Sequence, residues 1–258
     1  MPEHGGPEHG GPEHGRPEHP AIEPCGKRIR VLLGGRVIAD STAAMLVWEA
    51  PYYPTYYLPR ADVEAAALVP TGRSRDGAEV LDVRSGDRRA SEGALAYRDE
   101  TMDAIRFDWH AMDAWFEEDE EVYVHPRSPY VRVDILPSSR EITVSLDGVT
   151  LAHSTSARLL FETALPTRYY LPKTDVRLER LEPSTSTSRC PYKGTAEYYS
   201  VLLGDDRHAD LAWWYRSPAA ESQRIAGLVC FYNERVDITV DGVRQPRPHT
   251  KFGASPIR

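Results

Sequence analysis

A chain of 258 residues, 41% hydrophobic and 27% charged, has a globular composition and room for one large or two ordinary domains. A net charge of -8 and a pI near 5.6 leave no broad basic surface to repay binding to a nucleic-acid backbone or an anionic membrane. Cys25, Cys190 and Cys230 are too few and scattered for a disulfide framework or a closed zinc site, which fits a reducing compartment.

In chain order, the first segment repeats "PEHGG" with small changes, and after Met1 no apolar residue appears until Ala21 and Ile22. Such a stretch cannot offset its ordering entropy, so residues 1–26 are expected to be a disordered tail. Its His4, His9, His14 and His19 stand beside Glu3, Glu8, Glu13 and Glu18, a loose chelating pattern. Low-complexity tails are more often solvated spacers, and no metal site or cofactor is expected. No run approaches the roughly 18 apolar residues of a membrane span, and the N-terminus lacks a basic-then-apolar signal pattern. A cytoplasmic protein is the expectation.

An internal repeat follows. "GRVIADSTAAMLVWEAPYYPTYYLPRADV" (Gly35 to Val63) aligns without a gap onto "GVTLAHSTSARLLFETALPTRYYLPKTDV" (Gly148 to Val176), with 13 of 29 positions identical. A spacing of 113 residues is too long for a solenoid unit, so each copy should be a domain. Pro and Ser in "LPSSR" (Leu136 to Arg140) suit a junction. The predicted boundaries are therefore 27–136 for a degenerate N-terminal copy and 137–250 for a C-terminal copy.

Each copy reads as β-rich. Asp108 to Glu117 is the first of two segments with helical character. "EITVSLDGVTL" (Glu141 to Leu151) alternates Ile142, Val144 and Leu146 before an Asp-Gly pair, the signature of a tight hairpin whose central residues need positive φ. Tyr198 to Leu203, Leu211 to Tyr215 and Leu228 to Tyr232 are further strand candidates, and Ala219 to Ile225 is the second short helical stretch. The fold class expected is all-β: two tandem homologous antiparallel domains with short helical insertions.

The second copy's blocks "FETALPTRYYLP", "SRCPYKGTAEYY", "WWYRSP" and "IAGLVCFYNE" resemble the domain of unknown function 427 family in its tandem two-domain form. The resemblance covers nearly the whole chain after the tail. It implies a compact fold of two antiparallel sheets in each domain, in the manner of β-tent domains. The family is sometimes labelled nucleotidyltransferase-like. This sequence has neither paired acidic ligands after a Gly-Ser pair, as two-metal nucleotidyl transfer needs, nor a phosphate-cradling glycine loop.

The copies differ where "EPSTSTSRCPYKGTAEYY" (Glu182 to Tyr199) stands against "VPTGRSRDGAEVLDV" (Val69 to Val83), which keeps Pro70 but has no cysteine, lysine or tyrosine. If this block carries function, only the C-terminal copy has it. The leading expectation is a small-molecule pocket there. Lys193 and Arg168 would meet an acidic group of the ligand, and Thr185 and Thr187 would hydrogen-bond it. Trp214 or Tyr215 would stack on its apolar part, with Glu162, Tyr170 and Tyr192 completing the wall. Glu162, shared by both copies, would otherwise form a structural ion pair with Arg168, Lys173 or Lys193. One alternative is an enzyme with Cys190 as nucleophile or redox thiol, which needs a nearby cation or base. A second alternative is a protein-interaction module. Alternation places Trp213 and Tyr215 on one face of their strand and Trp214 on the other.

Overall fold

The computed structural model describes residues 22–49, 53–98, 102–250 and 252. The expectation of a disordered tail falls on residues 1–21, outside the described residues, except that Ile22–Pro24 forms a strand. Among the described residues no helix is long and apolar enough to cross a membrane.

The first module holds β1 (Ile22–Pro24), β2 (Ile29–Leu33), β3 (Arg36–Ser41), β4 (Met45–Val47), β5 (Thr55–Pro59), β6 (Leu68–Arg75), β7 (Ala78–Ser85), β8 (Arg88–Arg98), β9 (Asp103–Phe107), β10 (Ala114–Glu117) and β11 (Glu120–Glu121). The second holds β12 (Val133–Pro137), β13 (Ile142–Leu146), β14 (Val149–Ser154), β15 (Arg158–Glu162), β16 (Arg168–Leu171), β17 (Leu181–Cys190), β18 (Gly194–Leu203), β19 (Asp206–Tyr215), β20 (Val229–Phe231), β21 (Asp237–Val240) and β22 (Val243–Arg244). Each module pairs its strands into a seven-stranded and a four-stranded antiparallel sheet. The large sheets run β1-β4-β5-β9-β8-β7-β6 and β12-β15-β16-β20-β19-β18-β17, and the small ones β11-β10-β2-β3 and β14-β13-β21-β22. The two large-sheet orders correspond strand for strand, so the repeat read in the sequence is a repeat of architecture.

Local chemistry explains the corners. Asp147 (φ 49°) and Gly148 (φ 81°) join β13 to β14, and both lie in the left-handed region a tight hairpin requires. In the first copy Gly34 (φ 60°) takes the place of Asp147, where an added Cβ would lie 2.8 Å from the Ser85 carbonyl oxygen. Only glycine fits. The helical insertions are 3₁₀ turns. Of Asp108 to Glu117 only Trp109–Ala111 turns helically, and Ala114–Glu117 is instead strand β10, with Trp115 opposite Val31 of β2. A partner strand that buries Trp115 and Glu117 overrides the local helical character there. Ala220–Ile225 forms a six-residue 3₁₀ helix that buries Ser222 and Ile225.

Leu136 and Pro137 belong to β12, which pairs with β15 inside the second large sheet. The strands of the two modules are joined instead by residues 122–132, earlier than the "LPSSR" segment. Each module has its own core. Leu159, Leu171, Val229 and Phe231 of the large sheet pack with Ile142, Val144 and Ile238 of the small sheet in the second. Ile29, Val31, Tyr56, Leu58, Phe107 and Trp115 do the same in the first.

Candidate functional site: the cleft beside the β17–β18 turn

The "STSTS" run is a strand rather than a loop, and its alternation sorts the side chains. Ser184, Ser186, Ser188 and Cys190 are half-buried while Thr185, Thr187 and Arg189 are exposed. Ser186 Oγ donates to Asp210 Oδ2 at 2.7 Å, and Ser188 Oγ lies 2.6 Å from Tyr198 Oη. Directly paired residues share a sheet face, so the register chain Ser188–Ala196–Tyr215 and Tyr198–Trp213–Cys230–Tyr170 defines one side. Cys190, Arg168 and Glu162 belong to that side through Gly194, Leu160 and Val133. Thr187 and Trp214, each paired with Glu197, take the opposite face.

The expected single pocket is therefore divided. On the opposite face Trp214 is packed between cations, with Lys173 Nζ 3.3 Å and Arg216 Cζ 5.2 Å from its ring centroid, and with Tyr199 stacked at 6.3 Å. Thr185 and Thr187 lie on exposed positions of the edge strand and cannot share a ligand with Tyr170 or Glu162. Arg168 is consumed elsewhere. Its guanidinium makes a bidentate pair with Glu234 (2.6 and 2.7 Å), also contacts Asn233 Oδ1, and lies beside Trp213, Tyr232 and Phe252. Burial opposes ionisation of Glu234, but hydrogen bonds from Arg168 and Thr250 outweigh it and hold its carboxyl below the usual range. Tyr170 and Tyr215 fill the core, where burial raises their hydroxyls well above the ordinary tyrosine value.

Lys193 reaches Glu162, and the two side chains are only 12% and 9% exposed. The lysine of the turn therefore neutralises a buried carboxylate of its own module. Its neighbours face the first module. Arg127, in the connection, donates to the Pro191 carbonyl at 3.0 Å and to Glu120 at 2.7 Å, while the Ser128 N–H donates to Tyr192 Oη at 2.8 Å. Burial pushes the Tyr192 hydroxyl up to about 12, against the lowering effect of that N–H.

Between these contacts lies a cleft of about 430 Å³. The first module and the connection supply Glu120, Glu121, Tyr123 and Arg127, and the turn supplies Arg189, Cys190, Pro191, Gly194 and Thr195. Ser217 to Ala219, after β19, form the floor. The turn leaves room for them because Gly194 (φ 92°) has backbone of Pro218 and Ala219 close to where a Cβ would point. Of the site residues expected from sequence, the cleft is lined by Cys190 alone. Sequence reasoning missed Glu120, Glu121, Tyr123, Arg127 and Arg189. Acidic, aromatic and basic residues clustered beside a module boundary were the available signal.

Among the described residues no group of three or more His, Cys, Asp or Glu is arranged to hold a metal ion. The Lys193 ammonium, the cation nearest Cys190 in the turn sequence, is engaged by Glu162. Burial pushes the Cys230 thiol up to about 12.

No curated protein matches the chain. A family model described as a domain of unknown function, DUF427, matches residues 21–118 and 134–242, one match per module and with the connection between them. The chain belongs to the DUF427 family and carries two consecutive copies of its domain.

Proposed function

We propose that this protein binds a small molecule in the cleft between its modules, against the β17–β18 turn. The observation that carries this reading is the composition of that wall. The second module joins β17 to β18 through the three residues Pro191, Tyr192 and Lys193, and this turn with its flanks Cys190 and Gly194 contributes to the cleft, whereas the first module joins β6 to β7 through the two residues Asp76 and Gly77. The volume of about 430 Å³ falls within the roughly 300–1,000 Å³ usual for small-molecule sites. The ligand thus sits beside the block predicted from sequence, but meets Arg189 and Arg127 rather than Lys193 and Arg168.

Native mass spectrometry of gently purified protein, with a Thr195→Trp variant, tests this. Thr195 is exposed at the cleft rim, so the larger side chain blocks the space without disturbing a core. A co-purifying mass present in the parent and absent from the variant is the expected result. A mass retained by the variant, or clean apo spectra of both, would remove the cleft from consideration.

A further inference from the structure

The charges around the cleft are unevenly satisfied. Arg127 is engaged by Glu120 and the Pro191 carbonyl, with Glu221 at 3.9 Å. Arg189 and Glu121 have no partner of opposite charge within salt-bridge distance among the described residues. Both are tied to one ring. Arg189 Cζ lies 5.6 Å from the Tyr123 centroid, and the Tyr123 hydroxyl donates to Glu121 Oε2 at 2.8 Å. A guanidinium and a carboxylate without ion-pair partners among the described residues thus border the same open space, one over the ring and one at its hydroxyl end.

From this arrangement we infer that the cleft ligand is a zwitterion of amino-acid or dipeptide size, its carboxylate toward Arg189 and its ammonium toward Glu121. This rests on the cleft being a ligand site. A simple anion would meet Arg189 but also lie beside Glu120 and Glu121, and a simple cation would meet Glu121 beside two arginines. Only a ligand carrying both charges satisfies both groups, since like-charge juxtaposition opposes either alternative. The hydroxyls of Thr195 and Ser217 are available for the polar groups between the charges. Pro191 and Pro218 bring apolar surface.

The test uses the full chain and ligand-observed NMR with L-alanyl-L-alanine and the common free amino acids, each compared with its N-acetylated and amidated form. At least one zwitterion is expected to bind, and either capping should weaken it roughly tenfold or more. Glu121→Gln should abolish the preference over the acetylated form, and Arg189→Gln the preference over the amide. Arg189 is exposed and Glu121 half-buried, and neither belongs to a buried apolar cluster, so neither substitution removes core packing. Equal binding of capped and uncapped forms would overturn the zwitterion while leaving the cleft a ligand site. The zwitterion is likewise overturned, and the cleft retained, if no probe binds but Thr195→Trp still removes a co-purifying mass. No probe binding together with clean apo spectra would overturn both.

Discussion

Glu162 and its counterpart Glu49 solve one problem with different cations. In the first module Glu49 pairs with Arg106 of β9 at 2.9 Å and accepts from the Tyr57 hydroxyl, the two charged side chains being 33% and 28% exposed. By strand register Cys230 stands where Arg106 does, so β20 offers no cation, and Lys193 of the longer turn replaces it in a drier setting. Removing one partner of such a pair strands a charge. Lys193→Met is therefore expected to destabilise the second module by about 3–5 kcal/mol, and adding Glu162→Gln should recover most of the loss. Denaturant unfolding of both singles and the double variant measures this. A fully additive double variant would show the pair to be inconsequential. The thiols give a second check. Cys190 lines the open cleft and Cys230 is fully buried with its thiol raised, so iodoacetamide on the native protein should label the former and spare the latter. Labelling of Cys230 at a comparable rate would contradict its burial.

At the scale of elements, the segment after β20 closes over the large sheet. Asn233 and Glu234 grip Arg168 of β16, and Thr250 Oγ1 donates to Glu234 at 2.5 Å, fastening the C-terminal stretch to the core. Because the folded-state carboxyl is held below its unfolded value of about 4.3, the pair stabilises the module fully above that pH and loses its effect as pH falls through the lower folded value. The stability gap between the parent and Glu234→Gln should be largest near neutrality and narrow below about pH 4. A gap independent of pH would mean that the ionised carboxylate contributes nothing. Elements of this kind were unevenly legible in the sequence. The β13–β14 hairpin could be read because Asp147-Gly148 fixes it locally. The opposite faces of Trp213 and Trp214 could be read because strand alternation needs no tertiary information. The partner of Glu162 was one of three candidates, since no local rule says which cation a β-sheet delivers. Thr185 and Thr187 were grouped with Glu162 because the "STSTS" hydroxyls could ring one pocket, although strand parity puts them on the other face. The cleft was least legible, because Arg127 meets Pro191 across 64 residues of chain.

At the scale of the molecule, two separate cores meet through a largely polar seam. Arg127 and Ser128 contact the β17–β18 turn, and the Tyr130 hydroxyl donates to Glu23 at 2.7 Å. Among the described residues no buried apolar cluster spans both modules, so burial cooperates within a module, and hydrogen bonds and side-chain contacts couple the two. Tyr170→Ala, which empties a fully buried position, should cost the second module on the order of 3–5 kcal/mol. Hydrogen exchange followed by mass spectrometry locates the effect. Protection should fall throughout the strands β13 to β21 and stay unchanged in β2 to β10, with any response in the first module confined to residues 120–132 at the seam. If protection falls equally in both modules, the seam transmits stability as strongly as a shared core would. The cleft would then lie within one cooperative unit, and ligand binding there would stabilise both modules together.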